Sequence, residues 1–448
     1  MTPTLPAITR SRSVGPLTDR LVAGLSLALF AAAAIAAGIL QLLGHPVHAG
    51  AAPLFAHWLP HAGPGTPLAI AVAALVCGYG PAVAARLPWR RLLAVCYLTA
   101  VAWTLSLALV DGWQRGVAGR LTTRPEYLTE VPGVTSVPAM LRGFTARILD
   151  HQPDSWTTHV AGHPPGALLV FVGLDRAGLS GGAWAGLLCI AVGGLTAVAV
   201  PATVRLLDRE ESARAAAPFV ALFPGAVWIG VSADGLFAGV TATGIALLAY
   251  GVVRRSPPAA AAAGLLLACG AYLSYGLVLM AAIASAVVLA APAPRRTAWW
   301  AAAGTVAVAV TFTVTGFDWL TGYHLVIRRY YQGLAAHRPY LYWVWADLAV
   351  LVVSAGPAAA VILRRAAVRA GLRRAGRGVW LLPLAAAAAV LAADLSGYSK
   401  AEVERIWLPF AVWFLAGAAL LPGHRRRRWL IGQAAVALVV NHIVLTVW

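Results

Sequence analysis

A chain of 448 residues that is 60% hydrophobic and only 11% charged, with a mean hydropathy of +0.76, is too apolar for a soluble globular domain. Its formal charge of +18 would suit a nucleic-acid binder. The basic residues instead fall in short clusters between apolar runs, which argues against that class. Cys77, Cys96, Cys189 and Cys269 all lie inside apolar runs and form neither a disulfide framework nor a metal-ligand spacing.

Runs of about 17–22 apolar residues are long enough to cross the hydrocarbon core as helices. In chain order they predict spans over 21–43, 68–85, 91–110, 183–204, 215–231, 235–253, 259–275, 277–292, 297–315, 342–363, 378–393, 405–421 and 429–447. The expected fold is an all-α polytopic membrane protein, a single transmembrane domain over 1–448 with about 13 spans. The first run has no small-residue cleavage site and follows Arg10, Arg12 and Arg20, so it reads as an uncleaved anchor. Between 259 and 292 the sequence "YLSYGL" marks a turn between two helices.

Basic clusters set the sidedness. Arg86, Arg90 and Arg91, then Arg205, Arg209 and Arg214, then Arg254 and Arg255, mark the cytoplasmic face. Arg295 and Arg296, the cluster over 364–377, and Arg425 to Arg428 continue the pattern. A multi-pass protein of the plasma membrane follows. The loops 44–67, 111–162, 232–234, 316–341 and 394–404 then face outward. The run after "HVAGHPPG" reaches Asp175 and Arg176 too soon to cross, so 163–178 reads as a short re-entrant or tilted helix, the alternative being a short full span. Within 137–150, Val137, Met140, Leu141, Phe144 and Ile148 share one helical face, the pattern of an interfacial amphipathic helix. The stretch from Tyr323 to Tyr331 has the same character.

The unusual polar residues fall on this outer side. Asp111 ends a span, and the loop behind it carries Glu126, Glu130, Asp150, Asp154, His159 and His163. Asp234 opens a span, where an acidic residue suits a helix N-terminus. The 316–341 loop brings His337 and Arg338, and "SKAEVERIWLPF" brings Lys400, Glu402, Glu404 and Arg405. A buried ionisable group costs roughly 2.5–3.5 kcal/mol at mid-bilayer. One outward-facing polar cavity accounts for these groups more simply than separate accidents. Lys400 with Glu404, and Glu402 with Arg405, could also pair within one helix, but such exposed pairs are worth only about 0.3–0.5 kcal/mol. Arg405 is therefore placed facing the cavity, oriented by Glu402 or Glu404. Arginine binds phosphate oxygens in pairs and a carboxylate can deprotonate a hydroxyl, so the cavity suits a lipid-phosphate-linked substrate. No nucleotide-binding fingerprint is present.

The layout resembles the GT-C superfamily of polytopic glycosyltransferases. The resemblance rests on Asp111 after an early span, the large first loop, Pro164 and Pro165 opening the next helix, and the Ser232-x-Asp234 setting. "SKAEVERIWLPF" resembles a late segment of uncharacterised actinobacterial proteins of this type. The resemblance implies transfer of a sugar from a polyprenyl-phosphate donor to a cell-envelope glycan, lipid or protein. It implies that Asp111 is the general base or positions the acceptor; were Asp111 dispensable for transfer, Glu126, Glu130 or Asp154 would be the next carboxylates to consider. By the same resemblance Arg338 and Arg405 hold the donor phosphate while His159 and His163 line the site. It leaves a divalent metal open, since some relatives need one. The rival reading is a transporter or flippase for a lipid-linked glycan. Transporters place ionisable groups near the midplane and carry inverted repeats, and this chain shows neither.

Overall fold

The computed structural model describes residues 15–292, 295–371 and 377–447. Among these residues the structure is almost wholly helical. Helices α1 (Pro16–Leu42), α2 (Gly65–Arg86) and α3 (Trp89–Ala108) come first. An irregular segment follows, holding α4 (Val137–Gly143) and α5 (Thr158–Gly162). Next come α6 (Pro165–Arg176), α7 (Gly182–Gly194), α8 (Thr196–Leu207), α9 (Glu210–Ala221), α10 (Ala226–Ile229) and α11 (Ala233–Val253). The chain continues through α12 (Pro257–Leu273), α13 (Met280–Ala290), α14 (Ala298–Val314), α15 (Trp319–Gln332), α16 (Tyr340–Ser354) and α17 (Pro357–Gly371). It ends with α18 (Arg377–Leu395), α19 (Val403–Ile406), α20 (Leu408–Ala411) and α21 (Arg426–Ile443). Strands β1 (Ala56–Trp58) and β2 (Val444–Thr446) pair antiparallel, with His57 opposite Leu445. Proline opens α6, α12 and α17, where its missing N–H costs nothing.

Among the described residues six helices are long and apolar enough to cross a bilayer: Leu17–Leu42, Gly65–Arg86, Trp89–Asp111, Gly182–Leu207, Ala233–Val253 and Arg377–Leu395. Two bent pairs, α14 with α15 and α16 with α17, raise the number to eight if each is one span. Three shorter apolar helices cover Pro257–Leu273, Tyr275–Ala290 and Leu408–Leu420. The chain is thus a multi-pass membrane protein.

Several expected spans are broken where backbone chemistry overrides hydropathy. The run 215–231 is not one helix, because α9 stops before Pro224 and Gly225 and α10 is a single turn. The run 342–363 bends by 107° between α16 and α17, at Gly356, whose φ is +89°. That backbone conformation favours glycine. The run 405–421 divides into α19, α20 and a 3-10 stretch over Val412–Leu420. Helix α6, at 12 residues, reaches only about 18 Å and cannot cross a core of about 30 Å. The turn expected near Ser274 is present, as α12 ends there and a 3-10 turn begins at Tyr275.

The apolar face expected over 137–150 to lie on the membrane is instead covered by protein. Met140, Leu141, Phe144 and Ile148 are buried, and the Phe144 ring packs on Trp156 and edge-on against Phe317. Helix α15 does carry the expected amphipathic pattern and meets α14 at 75°.

The two ends of the bundle differ in charge. At one end Asp19 of α1 binds Arg365 of α17 through both carboxylate oxygens, at 2.9 and 2.6 Å. Arg214 of α9 donates to Glu210 and to the carbonyls of Ala84 and Leu87 at the end of α2. This end carries the basic clusters. The expected basic residues Arg10, Arg12, Arg373 and Arg374 lie outside the described residues. The other end, where α3 finishes and α11 and α16 begin, gathers the acidic residues, histidines and remaining arginines described next.

A buried ion-pair chain as the candidate functional site

Asp111 closes the short 3-10 turn that extends α3. Glycine permits the close packing behind it: a Cβ on Gly65 would lie 2.0 Å from the carbonyl of Ser106. Three donors meet its carboxylate. His61 Nε2 lies 2.8 Å from Oδ1, Arg120 Nη2 3.2 Å from Oδ2, and Arg115 Nη2 3.4 Å from Oδ1. Arg120 also donates to the carbonyl and hydroxyl of Thr446 in β2, both at 2.7 Å. Burial pulls the Arg120 guanidinium below its ordinary value, and Asp111 chiefly opposes that pull. The carboxylate thus braces the first loop, the loop after α1 and β2 against one another. Its lone pairs are engaged by protein, which is poor geometry for a free base.

A second group is longer and spans four segments. Arg405 Nη1 in α19 lies 2.6 Å from Asp234 Oδ2 in the first turn of α11. Arg405 Nη2 lies 3.1 Å from Glu402 Oε2, and Glu402 Oε1 accepts from both terminal nitrogens of Arg338 at 3.1 Å. Arg338 Nη1 donates onward to the Lys400 carbonyl at 2.7 Å, and Lys400 Nζ returns a bond to the Arg338 carbonyl at 3.1 Å. Asp234, Arg338, Lys400 and Arg405 are all buried. Paired charge-assisted bonds are what make such burial tolerable. Asp234 therefore binds Arg405 rather than capping α11, and the residue at the cap position is Ser232.

The turn before α19 is held from several directions. Ala401 and Glu402 both have φ of +66°, a conformation costly for residues with a Cβ. The Lys400 amide donates to the Tyr330 hydroxyl of α15 at 3.0 Å, and the Ala401 amide to Asp347 Oδ1 of α16 at 3.2 Å. Glu404 Oε1 accepts the Phe55 amide at 2.8 Å, while its Oε2 is buried without a hydrogen-bond partner. Burial pushes the Glu404 carboxyl up to about 7. Lys400 and Glu404 do not pair with each other: each answers to a different remote segment.

Beside this chain Glu126 Oε1 lies 2.9 Å from His159 Nδ1, both side chains buried. The His163 ring sits 6.5 Å from that of His159, with Tyr127 between them and α6, its ring stacked on Phe171 at 5.3 Å. Helix α5 ends at Gly162 and α6 starts at Pro165, so the two histidines do not share one helix. Glu126 adds to the negative surroundings of Arg405, which links this pair to the arginine chain. Beyond the Tyr127–Phe171 stack lies a cavity of about 280 Å³, lined by Leu128, Pro132, Leu174 and Asp175 among others. Among the described residues no three His, Cys, Asp or Glu side chains gather as a metal site.

No protein-family model matches the chain, and no curated protein matches it. Solved structures of the Archaeoglobus fulgidus oligosaccharyltransferase do resemble it in outline. The complex with zinc and sulfate gives a TM-score of 0.48 at 15% identity, over 79% of this chain and 53% of that one. The apo form gives 0.47 at 13% identity, over 80% and 56%. The form tethered to an acceptor peptide gives 0.46 at 12%, over 79% and 55%. The chain spans about half the length of that protein, and at this level of similarity nothing about chemistry transfers.

Of the residues singled out in the sequence, Asp234, Arg338, Lys400, Glu402 and Arg405 form one connected network. Glu404 stands against its edge, His159 and His163 beside it, and Asp111 in a separate brace. His337 is exposed, its ring 6.1 Å from His48, and takes no part in the network. Glu130 is occupied within the first loop, accepting from the Thr157 amide at 2.9 Å. Asp154 is largely exposed. Sequence reasoning missed Arg120, His61, Thr446 and Asp347. An Arg at the head of a long loop and a histidine-rich loop are weak signals, and nothing local identifies a backbone acceptor hundreds of residues away.

Proposed function

We propose that the chain is a GT-C-type glycosyltransferase that moves a sugar from a polyprenyl-phosphate donor to an extracytoplasmic acceptor of the cell envelope. The observation that carries this reading is the buried chain Asp234–Arg405–Glu402–Arg338. Two guanidinium groups held 3.1 Å from the oxygens of one carboxylate form a seat of the size and charge that a phosphate monoester or diester needs. Arg405, fixed by Asp234, would bind the donor phosphate and stabilise the charge that develops as the sugar leaves. The polyprenyl tail would lie between the helices, with the headgroup at the end of the bundle that faces outward, in a multi-pass protein of the plasma membrane.

The acceptor-side base falls to Glu126, oriented by His159. Glu126 contributes to the negative surroundings of Arg405, whereas the Asp111 carboxylate is taken up by His61, Arg115 and Arg120. Asp111 then acts by positioning the loop that carries Glu126. His163 and Tyr127 form the wall against which the sugar or acceptor would pack.

The test is sugar transfer in proteoliposomes. Purified protein meets a panel of radiolabelled polyprenyl-phosphate sugars and a cell-envelope acceptor extract, beside Arg405→Ala and Glu126→Gln. Transfer by the wild type that is lost in both folded variants is the expected result. Movement of labelled lipid between leaflets with no transfer for any donor would replace this reading with a flippase.

A further inference from the structure

We infer that Glu402 is an internal occupant of the phosphate seat, a carboxylate that fills the place between Arg338 and Arg405 and must leave when a phosphorylated ligand arrives. The inference rests on the donor-phosphate reading above and adds how that seat is regulated.

Three observations carry it. The first is geometry. Glu402 bridges the two arginines with one oxygen on each, all three contacts at 3.1 Å, which is how two oxygens of a phosphate would sit between the same groups. The Arg405–Asp234 contact is shorter, at 2.6 Å, and lies deeper, so it holds Arg405 whether or not Glu402 stays. The second is access. The Glu402 side chain is 20% exposed while those of Arg338 and Arg405 are 5% and 7% exposed. The carboxylate is the one member of the bridge open to the outside, so its departure uncovers the two guanidinium groups. The third is backbone. Ala401 and Glu402 stand in the left-handed region at φ of +66°, held by Tyr330, Asp347 and Arg338. A turn that is costly to hold is ready to relax once its side-chain anchor is exchanged.

Charge balance gives the exchange its direction. Glu402 is the carboxylate that Arg338 and Arg405 share, so its withdrawal removes one negative charge from between two guanidinium groups. A phosphate carrying one or two negative charges replaces the charge withdrawn. A neutral ligand would leave Arg338 without its carboxylate and Arg405 with one carboxylate fewer, which is unfavourable. The site is thereby closed to sugars and lipids that lack phosphate, and the carboxylate keeps it stable while empty.

The test is equilibrium binding to the full-length protein in lipid nanodiscs. The probe is farnesyl phosphate, with farnesol as the tail control and inorganic phosphate as competitor. Glu402→Gln should bind farnesyl phosphate about tenfold more tightly than the wild type, because a charged occupant has been removed. Farnesol binding should not change between the two proteins, and inorganic phosphate should displace the probe from the variant at lower concentration. Without ligand the variant should melt at a lower temperature than the wild type, and farnesyl phosphate should restore more of its Tm. Glu402→Asp, which keeps the charge on a shorter arm, should fall between the two and carries the same comparison if the Gln variant does not fold. Equal or weaker binding of farnesyl phosphate by folded Glu402→Gln would overturn the inference and make Glu402 part of the binding scaffold. If the folded wild type and both variants all ignore farnesyl phosphate, the donor-phosphate reading falls, and this inference with it.

Discussion

Arg405 and Asp234 meet at 2.6 Å across 171 residues of sequence. The pair fastens α19 to the first turn of α11 inside the protein, where neither charge reaches water. The donor-phosphate role assigned above depends on that fastening, because it fixes the guanidinium around which the bridging charges are arranged.

Breaking this pair from the acidic side should therefore cost stability before it costs chemistry. Asp234→Ala removes the shortest ion pair of the buried Arg405, and a loss approaching about 3–5 kcal/mol is expected for breaking a buried pair from one side. Arg405→Lys keeps the charge but cannot serve Asp234 and Glu402 together, so donor-dependent transfer should fall at least 100-fold with a smaller loss of stability. Thermal melts in detergent beside transfer rates would separate the two effects.

Asp111→Asn should act differently from Glu126→Gln. Asp111 braces Arg120, His61 and, through Arg120, the Thr446 strand. Its substitution should lower Tm and raise the acceptor KM while leaving residual kcat. Glu126→Gln should keep Tm near that of the wild type and lower kcat by about 100- to 10,000-fold, the usual scale for loss of a general base. The reverse pattern would return the base to Asp111.

Glu404 gives the fold a pH dependence of known sign. Burial holds its carboxyl at about 7 in the folded protein, against 4.5 as its ordinary value. The folded state binds this proton more tightly than the unfolded chain. Its contribution is therefore fully present below about 4.5 and is lost as pH rises through about 7. Glu404→Gln can still accept the Phe55 amide and cannot ionise. The variant should be more stable than the wild type at pH 8, and its Tm should vary less between pH 5 and pH 8.

Tyr330→Phe removes one hydroxyl that holds the Lys400 amide at 3.0 Å. A cost of about 1 kcal/mol is expected. Because that amide belongs to the turn carrying Glu402, donor KM should rise while acceptor KM stays constant. Initial-rate kinetics in both substrates would show the difference.

The sequence carried the membrane character, the break at Ser274 and the short reach of α6. Hydropathy and proline placement are local properties, and these features follow from them. It also singled out Asp234, Arg338, Glu402 and Arg405, which stand out in apolar surroundings and which the structure joins by ion pairs. Pairing it carried only in part: Glu402 does meet Arg405, three residues on, at 3.1 Å. The i,i+4 rule joined Lys400 to Glu404, but Lys400 turned to Arg338 and Glu404 to the Phe55 amide. The positive φ at Ala401 and Glu402 explains this: the turn is not yet helix there, so helical spacing does not apply. The bend of α16 against α17 and the division of 405–421 were hidden for a related reason. An apolar run shows that a segment is buried and does not show that it is straight.

The pairing of Arg120 with Thr446 joins residues 326 positions apart. A ribosome adding roughly 5–20 residues per second needs on the order of 16–65 seconds to cover that distance. Throughout this interval the first loop has its arginine and its aspartate but not the strand that locks them. The helices can enter the bilayer in turn, yet the brace around Asp111 closes only after β2 has been made. The order of synthesis thus delays completion of the site until nearly all the helices described above are in place to receive it.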